Sequence, residues 1–131
     1  MKYILDTHIW LWASIQPDRL SHRVAKILAD PENELWLSPI SIWELTILCR
    51  KGRFHVHPDI RTWVANTFSE LRLTEAPLTA EVALAMSAMK FSHGDPADHF
   101  LAATAKVFDL TLVTADERLI SAPGIKVLAN R

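Results

Sequence analysis

An α/β fold, with a mostly parallel sheet of four or five strands covered by helices on both faces, is predicted by three observations in the sequence. Short apolar runs alternate with segments of helical period along the whole chain. Helix-start signals stand between them, two of them a capping residue followed by proline (Ser38-Pro39 and Asp95-Pro96). Half of the 131 residues are apolar and only three are glycine, which excludes a disordered or fibrous chain.

The elements follow in order. Lys2 to Leu5 (KYIL) reads as a buried strand ending at Asp6, and Thr7 to Ala13 as a helix. Ser21 caps a helix to Ala29 in which Val24, Ala25, Ile27 and Leu28 recur at helical spacing. Glu34 to Leu37 (ELWL) is the second strand. Ser38-Pro39 opens a helix to about Lys51, with Gly52 as its stop. Asp59 to Leu71 is helical, Arg72 to Ala76 a third strand, and Thr79 to Lys90 another helix capped by Thr79. Asp95-Pro96 begins a helix to about Phe108. Leu110 to Thr114 (LTLVT) is a strand, Asp116 to Ile120 a short helix and Ile125 to Leu128 the closing strand. The length suits one domain spanning residues 1–131, large enough to bury a core.

Several function classes are disfavoured at this level. A single cysteine, Cys49, leaves no internal disulfide framework and suits a reducing cytoplasm. Asp6 interrupts the apolar opening before it could serve as a signal peptide, and IWLWASI is too short to span a bilayer. With a net charge of −1, any nucleic-acid contact must come from a local basic patch or from bound metal ions.

In a parallel α/β sheet, ligands gather at the carboxyl ends of the strands. Asp6 directly follows the first strand, and Asp116 comes two residues after LTLVT. Helices leading back antiparallel to the strands begin at that edge, which places Asp98 there in a first turn and Glu44 in a second turn. Each acid has a plainer reading. Asp6 can end a strand, Asp116 can cap a helix, and Asp98 can be a first-turn acid favoured by the helix dipole, worth roughly 0.3–1 kcal/mol. Glu44 is different, because its helical neighbours Ile40, Ser41, Ile47 and Leu48 form a largely apolar face. An acid there is costly unless paired, protonated or bound to a cation. Crowded carboxylates repel, a divalent cation relieves them, and an oxygen-only donor set favours Mg²⁺ or Mn²⁺ over zinc. Such a centre suits phosphodiester hydrolysis. Of the histidines, His55 and His57 (RFHVHP) and His22 read as surface residues, while His8 lies close enough to the first strand to approach the site.

Four segments in this order, ILDTHIWLWA, SPISIWEL, HGDPADHFLAATA and LTLVTADERL, resemble the PIN-domain ribonucleases, and among them the VapC-type toxins of bacterial toxin–antitoxin pairs. The resemblance implies a three-layer α/β/α sandwich with an acidic pocket for Mg²⁺ or Mn²⁺, whose acids map onto Asp6, Glu44, Asp98 and Asp116. It makes Asp95 an additional, supporting acid, and Thr114 a hydroxyl that positions the last acid or a water. It also implies an RNA substrate, a cognate antitoxin as inhibitor, and a homodimer. One position departs from the pattern: the subgroup commonly has arginine after the third acid, where this chain has His99, which titrates near neutrality and offers no fixed fork.

Cations for RNA would come from Arg50, Lys51 and Arg53, or from Lys90 ahead of His93, unless these are ordinary solvated charges. Trp10, Trp12 and Trp43 are candidates for a groove that takes an antitoxin helix, or for core. Three other readings stay open. A phospho-receiver domain normally has adjacent acids after its first strand, which ILDTH lacks. A haloacid-dehalogenase-type phosphatase wants Asp-x-Asp where this chain has Asp6-Thr7-His8. A catalytically silent PIN module is not favoured, since all four acids are present.

Overall fold

The computed structural model describes residues 1–90 and 94–131. Its elements run β1 (Lys2–Leu5), α1 (Thr7–Ile15), a 3₁₀ turn (Pro17–Arg19), α2 (His22–Ala29), β2 (Glu34–Leu37), α3 (Pro39–Arg50), α4 (Ile60–Glu70), β3 (Leu73–Glu75), α5 (Ala80–Ala88), α6 (Pro96–Val107), β4 (Thr111–Thr114), α7 (Glu117–Ile120) and β5 (Lys126–Ala129). The five strands form one sheet in the order β3-β2-β1-β4-β5, and every pairing is parallel. The expected four or five mostly parallel strands are thus five and wholly parallel.

Period-two side chains divide this sheet between two cores. Tyr3, Leu5, Leu35, Leu37 and Val113 face one side, with Ile9 and Trp10 of α1, Val24 and Leu28 of α2 and Leu45 of α3. Ile4 and Leu112 face the other, against Leu101 and Ala105 of α6 and Leu119 of α7. Small residues (Ala102, Ala103, Ala105) run along α6, and all are buried.

The strand order creates the functional edge. From β1 the chain winds outward through β2 to β3, then returns to the other side of β1 for β4 and β5. The reversal falls between β1 and β4, and a doubly wound sheet opens its ligand crevice at such a point. Three helices begin at this edge with an aspartate cap. Asp6 accepts from the Thr7 amide at 2.8 Å, Asp95 from Ala97 at 3.1 Å and Asp116 from Arg118 at 2.9 Å.

Two helix boundaries differ from expectation. α1 continues to Ile15 rather than Ala13, with the Ser14 hydroxyl donating back to the Trp10 carbonyl at 3.0 Å. α5 stops at Ala88, so Lys90 lies beyond it; Met89 is already extended, with φ −91° and ψ 146°. The 3₁₀ turn at Pro17–Arg19 had no counterpart in the sequence reading. His93 lies outside the described residues.

Trp10 belongs to the core rather than to a groove: it is fully buried, and its indole N–H donates to Thr67 Oγ1 at 3.1 Å, tying α1 to α4. Thr67→Val keeps the shape but removes that acceptor. It should lower stability in urea unfolding by about 1–3 kcal/mol, the cost of a buried donor without a partner. A change below about 0.5 kcal/mol would mean that another acceptor replaces the hydroxyl.

Candidate active site

Asp6 is the structural centre of the carboxyl edge. The parallel register pairs Leu5 with Val113, which sets Asp6 beside Thr114. Thr114 Oγ1 donates to Asp6 Oδ2 at 2.6 Å and accepts from the Asp116 amide at 3.0 Å. One hydroxyl therefore joins the first acid to the backbone of the last. Thr7 does the same on the other side. Its hydroxyl donates to Glu44 Oε1 and lies 2.8 Å from Ser41 Oγ, linking the start of α1 to the second acid on α3.

Asp6, Glu44, Asp95, Asp98 and Asp116 line one cleft of about 460 Å³, so all four candidate acids and the supporting Asp95 arrive together. Asp116 both caps α7 and lines the cleft, so its capping role does not take it away from the edge. Asp95 is likewise cap and lining at once. Among the described residues, His99 is not part of this lining, so the one departure from the family pattern sits in the first turn of α6 outside the cleft.

Electrostatics at this edge are strained in a definite direction. Burial pushes the Asp6 carboxyl up from its ordinary value; the Thr114 and Thr7 hydrogen bonds oppose this, and the charges of Asp116 and Asp95 add to it. Burial also raises Glu44, against its Thr7 hydrogen bond, with Asp6, Asp95 and Asp98 repelling it. Burial lowers His8, which lies in the same cleft, and the Arg19 charge lowers it further.

Cations that the sequence reading did not nominate relieve part of the strain. Arg118 grips Asp116 in a two-pronged contact, Nε to Oδ1 at 3.2 Å and Nη2 to Oδ2 at 2.9 Å, and its Nη2 is 3.9 Å from Asp98 Oδ2. Arg19, from the 3₁₀ turn, also lines the cleft, with its guanidinium 4.2 Å from the centre of the Trp12 ring. The residues missed by sequence reading are thus Thr7, Ser41, Arg19 and Arg118. Only Arg118 carried a local signal, two positions after Asp116 in TADERL.

The donor set fits a hard divalent cation: the crowded acids offer oxygen alone, and burial raises two of them, a penalty that a bound cation would relieve. As the side chains lie, no three acidic, imidazole or thiol groups among the described residues are close enough to enclose a metal. Asp116 is turned to Arg118 and Glu44 to Thr7.

A consequence for stability follows from the raised carboxyls. Their contribution is fully present below the ordinary values of 3.8 for Asp6 and 4.5 for Glu44, and is lost as pH rises through the raised native values. Urea melts in EDTA should show wild-type protein losing stability upward from that range relative to Asp6→Asn. Parallel pH profiles for the two proteins would contradict this.

Similarity to known proteins accords with this geometry. Residues 3–125 match the family model of the PIN domain. The chain is 33% identical over 119 residues, 90% of its own length and 89% of the relative's, to Ribonuclease VapC22 of Mycobacterium tuberculosis (strain ATCC 25618 / H37Rv). The fold resembles the crystal structure of VapBC2 from Rickettsia felis bound to a promoter DNA fragment, with a TM-score of 0.76 at 20% identity and 98% of each chain covered. It also resembles DNA-bound VapBC from Salmonella typhimurium, with a TM-score of 0.69 at 19% identity and 100% and 99% covered. A switch-point cleft of converging carboxylates and a family match over nearly the whole chain lead to one assignment: this chain belongs to the PIN-domain family.

Proposed function

We propose that this protein is a metal-dependent endoribonuclease that hydrolyses RNA phosphodiester bonds, and that it acts as the toxin of a toxin–antitoxin pair. The observation that carries this reading is the arrival of Asp6, Glu44, Asp98 and Asp116 at one cleft in a chain 33% identical to a named ribonuclease. Family membership removes the phospho-receiver and dehalogenase readings. Among the described residues no helix is long and apolar enough to cross a membrane, and a cytoplasmic homodimer with a cognate antitoxin completes the proposal. Residues 1–131 act as one domain in this reading.

Asp6, Glu44, Asp98 and Asp116 would hold Mg²⁺, with Mn²⁺ able to substitute. When bound, the cation supplies a lowered pKa for water and charge neutralisation at the phosphate. The protein's own part is positional. Thr114 holds Asp6 and the Asp116 backbone at a fixed separation, and Thr7 orients Glu44. Arg118 presents a fork that matches phosphate as well as it matches the Asp116 carboxylate. The N-termini of α1 and α6 face the same edge, where backbone dipoles favour negative charge.

Incubation of labelled RNA with the purified protein should give cleavage with Mg²⁺ or Mn²⁺ and none in EDTA. Asp98→Asn should lower the rate by about 10²-fold or more, as for loss of a group that stabilises a transition state. A parental rate in that variant would remove Asp98 from the site. Binding gives an independent reading. Mn²⁺ at about 100 times its dissociation constant should add about 2.7 kcal/mol to wild-type unfolding and much less to Asp98→Asn. Equal stabilisation of both would place the cation elsewhere.

A further inference from the structure

A second cleft, of about 420 Å³, runs beside the acidic one. Both include His8, Glu44 and Asp95, so the two adjoin. Away from the acids, the second cleft is lined by Trp43, Ile47, Leu48, Lys51 and Arg53. Trp43 is 56% exposed, an unusual state for an indole on a helix whose next residue reaches into the acidic cleft.

The cations are held in place by the way α3 ends. Gly52 has φ +71°, its N–H donates to the Cys49 carbonyl at 3.1 Å, and the Arg53 N–H donates to Leu48 at 2.9 Å. This pair of bonds is a Schellman motif, and it returns Arg53 against Leu48 at the cleft wall. The Gly52 stop read from the sequence therefore also aims the basic segment. Among the described residues, neither Lys51 nor Arg53 forms an ion pair.

We propose that this second cleft binds the unpaired strand of the RNA on one side of the cleavage point, with one base stacked on the Trp43 indole and neighbouring phosphates on Lys51 and Arg53. The identity of the strand as substrate rests on the ribonuclease reading. The physical case is complementarity. A carboxylate-lined cleft in a chain of net charge −1 repels phosphates, so recruitment must come from cations placed beside it. An exposed aromatic face between such cations and the acids suits a base without a pairing partner, since only an unpaired base presents its ring face. An amphipathic peptide with a basic side chain would match Ile47, Leu48 and the acids, but it would leave the Lys51 and Arg53 charges unmatched.

The test measures binding of a short fluorescein-labelled single-stranded RNA by anisotropy in EDTA, across a salt series, with the full chain. Trp43→Ala should weaken binding about 5- to 150-fold, and Trp43→Phe should recover most of it. Lys51→Ala with Arg53→Ala should flatten the slope of log affinity against log salt by about 1.4. With Mg²⁺ present, Trp43→Ala should raise KM and leave kcat nearly unchanged. Thermal melts should match wild type, because the Trp43 indole is exposed. If cleavage is intact while Trp43→Ala binds RNA with parental affinity and KM, the track is overturned and the ribonuclease reading stands. If no RNA is cleaved at all, the ribonuclease reading fails, and the binding series still decides the track. If RNA binding ignores Trp43 while an amphipathic helical peptide shifts its fluorescence, the cleft belongs to a protein partner and the proposal is wrong.

Discussion

A carboxylate buried at the end of the central strand is the constraint on which the rest of the site depends. Asp6 is only 9% exposed, and burial alone would drive it towards the neutral form. Two short hydrogen bonds, from the Thr7 amide and the Thr114 hydroxyl, oppose that drift. The second exists only because β1 and β4 pair in parallel with Leu5 opposite Val113. A one-residue slip would turn Thr114 to the other face of the sheet and leave Asp6 without its donor. Sheet register and site chemistry are one requirement here.

Around that centre the protein stores repulsion. Glu44 is raised by burial and by its acidic neighbours, and Arg118 clasps Asp116. Such an edge costs stability and is tolerated where function asks for it. The cores on either side of the sheet are correspondingly plain, their buried side chains aliphatic except for Tyr3 and Trp10. The charge conflict is confined to the edge where strands end and helices begin. Arg19 and Arg118 line the acidic cleft, and Lys51 with Arg53 line the one beside it. A chain with a net charge of −1 thus places four of its cations along the clefts that hold these acids.

Much of this was legible in the sequence because the local signals agree with one another. The strands KYIL, ELWL and LTLVT are short apolar runs ending at polar residues, and all three lie within the sheet as expected. Ser38-Pro39 and Asp95-Pro96 open helices because proline fixes the first helical turn while the preceding side chain caps it. Nothing in AMSAMK ends α5 at Ala88, so that boundary carried no stop signal. The end of α1 at Ile15, two residues beyond the expected Ala13, does have one: Pro17, which disfavours helix at Gln16. The tryptophans divided by position on their helices: Trp10 faces the core, while Trp43, beside Glu44 on α3, faces outward.

By itself the sequence determined the order of elements, the caps that start them, and the arrival of Asp6, Glu44, Asp98 and Asp116 at one edge. Those follow from periodicity and from the rule that parallel strands end on the same side. Only the tertiary structure decided which groups touch. The Thr114 bridge to Asp6 spans 108 positions and the link from Thr7 to Glu44 spans 37, separations at which no local pattern carries information. Arg19 met the cleft through a 3₁₀ turn without a helical signature, and Lys51 and Arg53 met the adjoining one through the left-handed Gly52. Side-chain hydrogen bonds and charge pairs depend on distances of a few tenths of an ångström, and packing sets those distances.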